Sequence, residues 1–129
     1  MNLRVILVGL GASLYVTSLF QPVWKCSNEP LLGLHVLMIG FLDPRWFCNI
    51  LLILAVRALF RPPKWQMAGL AMAIVGTSAF LGPFFCASAG GALTKGIGVS
   101  TGGLLWIVSL WFFALAASLP SSSDPGKVD

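Results

Sequence analysis

"GFLDPRWFCNILLILAVRALFRPPKW", residues 40–65, is apolar apart from Asp43-Pro44-Arg45 near its start and three cations near its end. It admits three readings: one membrane-crossing helix with a polar defect, a charged site inside a membrane, or two elements meeting at a corner. An Asp side chain accepts hydrogen bonds from the free amides of a helix start. Proline suits the first helical position, where its missing N–H is not needed. The pair therefore predicts an N-cap at Asp43 and a helix over 44–61, ended by Pro62-Pro63, which cannot continue the hydrogen-bond ladder. The preceding run, 31–42, holds twelve residues. That is about 18 Å of helix, short of a hydrocarbon layer about 30 Å thick. It reads as a separate short helix, interfacial or re-entrant. A single helix kinked at Pro44 is the competing reading.

Composition sets the class. Of 129 residues, 57% are hydrophobic and 9% charged, with a mean hydropathy of +0.90. Soluble domains carry roughly 25% charged residues, so so little polar surface points to an integral membrane protein of one domain. The net charge of +4 does not form a basic face. Its cations sit singly or in one short cluster beside apolar runs, as topology signals do. Nucleic-acid binding, which needs clustered cations, is not expected.

Working outward, crossings are expected at about 4–21, 44–61, 65–85 and 99–119, with a polar, flexible tail over 120–129. The first could compete as a cleavable leader, but no small-x-small cleavage site precedes Pro22. Gly69, Ala73 and Gly76 mark a narrow face on the third crossing. Gly98-x-x-x-Gly102 opens the fourth; small residues four apart let helices approach closely in lipid. Trp24, Trp46 and Trp65 fall near boundaries, as an aromatic belt places them. Arg57, with Arg61 and Lys64, makes a short all-positive linker. Arg57 is read as a boundary cation snorkelling outward, with a buried functional cation as the alternative. The linker belongs in the cytoplasm, which puts both termini there as well.

Few constellations carry chemistry. Cys26, Cys48 and Cys86 make no C-x-x-C pair. Three arrangements stay open: a Cys26–Cys86 disulfide in an oxidising compartment, a pairing that involves Cys48, or three small buried thiols. Quinone-linked thiol oxidases relay electrons through two cysteine pairs, more than three cysteines supply. His35 is the only histidine, so a zinc site is not expected. No crossing carries an interior acid for proton coupling. Hydroxyls at Thr17-Ser18, Thr77-Ser78 and Ser109 are too sparse for a polar conduction stripe. Asn49, near the start of a crossing, needs partners inside the bundle and is read as interhelical glue or a ligand contact. No catalytic residue, cofactor or metal is expected.

Trp46-Phe47-Cys48-Asn49 gives a W-x-x-N pattern, and "GIGVSTGGLLW" (96–106) leads into the last helix. With these the chain resembles small bacterial inner-membrane proteins of unassigned function. The resemblance covers much of the chain and implies four crossings with a short apolar segment after the first loop. It implies no activity. Those proteins often carry proline after the asparagine, where this chain has Ile50.

The expectation is an all-α membrane bundle of four crossings plus one short helix, in a bacterial inner membrane. It would be a non-catalytic accessory, assembly or immunity-type partner of another membrane component. A homo-oligomeric small-solute channel or carrier is the alternative, and a membrane thiol-redox protein the third. The partners implied are the lipid bilayer and either another membrane protein or a second copy of the chain.

Overall fold

The apolar run after Arg4 forms α1, Leu3–Leu19. The computed structural model describes residues 3–26, 31–39, 44–58, 66–78, 85–87, 93–96 and 98–119. Asp43, Arg61, Lys64 and the tail over 120–129 lie outside the described residues. After α1 come β1 (Pro22–Lys25), β2 (Leu31–Leu32) and α2 (Gly33–Ile39). A 3-10 turn, Pro44–Phe47, leads into α3 (Cys48–Ala58), followed by α4 (Gln66–Thr77). Next are β3 (Phe85–Ala87), β4 (Leu93–Lys95), β5 (Gly98–Val99) and α5 (Thr101–Ser118). The chain is mostly helical, with these short strands added at its turns.

α5 is the central element. It packs most extensively against α1 and then α4, and also touches α3 and β1. Its buried positions include Gly102, Ile107, Leu110, Phe113, Ala114 and Ala117. Leu104, Val108, Trp111 and Leu115 form the exposed stripe; their spacing of three and four places them on one helix face. Both large neighbours run antiparallel to α5. Gly11 of α1 faces Phe113, while Gln21 and Pro22, just beyond the end of α1, lie against Gly102. On α4, Gly69 faces Ala117 while Gly76 faces Leu110. At 18 residues, α5 is about 27 Å long. Among the described residues it is the one helix long and apolar enough to cross a membrane, and α1 is a shorter apolar helix.

Two expectations are corrected here. Leu31 and Leu32 do not begin the short helix; they pair with β1 at Trp24 and Pro22, and α2 starts at Gly33. The Gly33 N–H donates to the Gln21 carbonyl at 3.0 Å. A Cβ on Gly33 would sit 2.8 Å from Leu19 Cα, so only glycine lets α2 set out against the end of α1. Second, Gly98 and Gly102 do not share a helix face. Gly98 lies in β5 opposite Lys25, and the Ser100 N–H donates to the Val23 carbonyl at 2.8 Å. The backbone groups just before Thr101 are thus committed to the sheet, and the helix cannot start earlier. The three strands order as β2-β1-β5. The segment read as a loop over 86–98 contains a second, two-stranded pairing of β3 with β4.

Two core clusters meet at Trp106. Beneath the sheet, Val23, Trp24 and Ile107 are buried, with Val36, Val99 and Trp106 packed on them. Between the helices, Cys48, Leu52, Met72, Leu110 and Phe113 are buried, and Trp106 packs on these too. One indole therefore couples the sheet to the helical core.

Candidate functional site

Asn49 occupies the first turn of α3, directly after the 3-10 turn. Its Oδ1 accepts from the Tyr15 hydroxyl of α1 at 3.0 Å and from the Trp106 indole N–H of α5 at 3.2 Å. One amide oxygen thereby ties three helices together. Both donors are amphipathic aromatics, with a large apolar body that packs and one polar atom that needs a partner when buried. The amide that needed partners inside the bundle thus finds two donors on neighbouring helices.

The other tryptophan of the W-x-x-N pattern fastens a different joint. Trp46 donates its indole N–H to the Leu37 carbonyl at 2.9 Å, in the last turn of α2, where carbonyls have no partner within the helix. It also meets the Phe47 ring edge-on, with centroids 6.1 Å apart at 83°. Trp46 and Asn49 together anchor the start of α3 to α2, α1 and α5.

The small-residue face of α4 is used inside the bundle. Ala73 is fully buried. A Cβ on Gly69 would lie 3.2 Å from the Ala117 methyl, and one on Gly76 would overlap the Leu110 side chain. This face is spent on α5. Gly102 meets backbone: an added Cβ would lie 2.8 Å from the carbonyl oxygens of both Gln21 and Pro22. Gly98 has nothing within 4 Å of that position.

The hydroxyls singled out earlier turn inward upon their own helices. Thr17 donates to the Ser13 carbonyl at 2.8 Å and Ser18 to Tyr15 at 2.6 Å. Thr77 donates to Ala73 at 2.7 Å, Ser78 to Val75 at 2.5 Å and Ser109 to Trp106 at 2.6 Å. Thr77 also accepts from the Trp111 indole at 2.9 Å, which links α4 to α5. Each of these hydroxyl hydrogens is committed to a backbone carbonyl three or four residues back.

Arg57 is exposed in the last turn of α3, and His35 is exposed on α2. Cys48 is fully buried. Cys26 is half-buried against the cluster under the sheet. The Cys86 backbone lies in β3 opposite Thr94; its side chain lies outside the described residues. Among the described residues no cluster of histidine, cysteine or acidic groups could hold a metal ion.

Tyr15, Trp106 and Trp111 were missed by sequence reasoning. Their signal, aromatic residues with a polar atom inside apolar runs, was present but did not say which helix would answer them. Comparison with protein-family models, curated proteins and solved structures finds no match for the chain.

Proposed function

We propose that this chain is an integral protein of a bacterial inner membrane, crossing it four times with both termini in the cytoplasm. Its proposed role is as a non-catalytic accessory, assembly or immunity-type partner of another membrane component. The observation that carries the membrane reading is the inverted surface. Large apolar side chains point outward from every long helix: Val5 on α1 is 64% exposed, Ile53 on α3 68%, Met67 on α4 73% and Leu115 on α5 54%. Single exposed apolar residues are ordinary. Stripes of them running along neighbouring helices, with hydrogen-bonded polar groups inside, suit a lipid surround.

Charge supports the same placement. Arg4 opens α1, Lys25 closes β1 and Arg57 stands in the last turn of α3. Cations at element ends can reach the interface, while those in mid-helix would be costly. The cluster of Arg57, Arg61 and Lys64 favours a cytoplasmic α3–α4 linker. The resemblance through the W-x-x-N pattern is the ground for a bacterial inner membrane.

The non-catalytic reading rests on the character of the constellation that, among the described residues, gathers three helices. Tyr15, Asn49 and Trp106 form a clasp whose shared acceptor is occupied from two sides. A clasp of that kind holds a scaffold together and presents no nucleophile beside a base.

Purification at native expression level in a mild detergent, with mass spectrometry of what co-purifies, tests the role. A stoichiometric membrane protein is the expected companion. A lone homo-oligomer overturns the accessory reading in favour of a channel or carrier. A thiol oxidase activity abolished by cysteine substitution favours the redox reading.

A further inference from the structure

α2 has seven residues, GLHVLMI, and no charged side chain. Its length of about 10 Å is a third of a hydrocarbon layer about 30 Å thick. We infer that α2 lies flat in the membrane interface on the strand-bearing side, with Leu34 and Met38 set into the boundary between headgroups and acyl chains. The inference rests on the membrane placement proposed above and deepens it by naming the lipid interface as the partner of this face.

The two faces of α2 differ. Val36 packs on the cluster of Val23, Trp24 and Ile107 beneath the sheet. Leu34 and Met38 stand one turn apart, and each lies two positions from Val36, about 200° around the helix. They point away from the protein, and both are exposed, Met38 to 70%. His35, the one polar side chain of the helix, is exposed on the flank of that stripe. An apolar face beside a polar flank suits the interface, where such a face inserts about 5–10 Å.

The ends of α2 set its depth. At its start the Gly33 N–H donates to the Gln21 carbonyl at 3.0 Å, and Gly33 lies against the Ser18 and Leu19 backbone at the end of α1. Near its end the Leu37 carbonyl accepts from the Trp46 indole at 2.9 Å, directly before α3. α2 thus bridges the end of α1 to the start of α3, the level at which two crossings leave the hydrocarbon. Phe20 and Phe47, at those two helix ends, are exposed as well. Apolar side chains therefore continue from the outer faces of both helices onto α2, and lipid reaches the stripe without a partner protein. Lys25 is exposed on β1, the strand that β2 and α2 pack against. A cation at this level can reach headgroup phosphates.

The test places a nitroxide amino acid by codon suppression at Leu34, Met38 or Ile53 of the full chain, which leaves the native cysteines in place. The chain is reconstituted in vesicles of phosphatidylethanolamine and phosphatidylglycerol. Collisions with oxygen, which concentrates in hydrocarbon, and with a water-soluble nickel chelate give the depth of each label. Ile53, exposed in the middle of α3, reads the membrane placement by itself and should lie deep. Leu34 and Met38 should both lie in the interfacial layer, shallower than Ile53. A deep Ile53 with both α2 labels open to the nickel chelate overturns the inference alone, because α2 then stands clear of the lipid. Labels on α2 as deep as Ile53 make it re-entrant and overturn it too. Dipolar broadening at Met38 that vanishes on dilution with unlabelled chain gives the face to a second copy, with the same consequence. An Ile53 label in water overturns the membrane placement and the inference with it.

Discussion

Asn49 shows how one polar atom can organise an apolar chain. Replacement by Leu leaves the Tyr15 hydroxyl and the Trp106 indole N–H without their shared acceptor. An orphaned buried donor costs about 1–3 kcal/mol in water-soluble cores, and hydrogen bonds between helices in lipid average about 0.6 kcal/mol. Asn49→Leu removes two such bonds and is therefore expected to lower the thermal midpoint of the detergent-solubilised protein, measured by circular dichroism, with a loss of about 1 kcal/mol. Asn49→Gln keeps an uncharged acceptor oxygen and should lose less, and equal losses would remove the clasp. Asn49 stood out in the sequence because an amide inside an apolar helix must find a partner. Which partners it finds, 34 residues back and 57 ahead, depends on three helices meeting at one level, and no local pattern encodes that.

At the scale of elements, the helices were legible and the strands were not. Apolar runs bounded by prolines and cations located α1, α3, α4 and α5, since those marks act through the chain's own backbone. β1 is four residues long and gains strand character from partners far along the chain, such as Val99 opposite Trp24. That pairing withdrew Gly98 from the helix and split the apparent Gly98-x-x-x-Gly102 motif. The two glycines now predict opposite behaviour. Gly102→Ala should destabilise strongly, because the added methyl meets two backbone carbonyls that cannot rotate away. Gly98→Ala, with open space around it, should shift the midpoint by less than about 0.5 kcal/mol, the usual range for unconstrained surface sites. Comparable losses from both, in the same melting assay, would restore a shared helix face.

For the molecule as a whole, the expected placement is tested by accessibility. The chain should pellet with membranes after an alkaline carbonate wash. In a Cys26→Ser/Cys48→Ala/Cys86→Ser background, an impermeant maleimide should label Lys95→Cys but not Ser122→Cys in intact spheroplasts. The opposite pattern would reverse the topology. Composition alone pointed to lipid, because 9% charged residues cannot clothe a water-facing surface, and the cation spacing read out element ends. Both are properties of single residues or of neighbours in the chain, so they survive without knowledge of the fold. The sheet cap, the internal use of the Gly69, Ala73 and Gly76 face, and the sharing of Trp106 between two cores emerged with the packed structure. Each depends on contacts between segments far apart in sequence, whose energies exist only once the helices have chosen their neighbours.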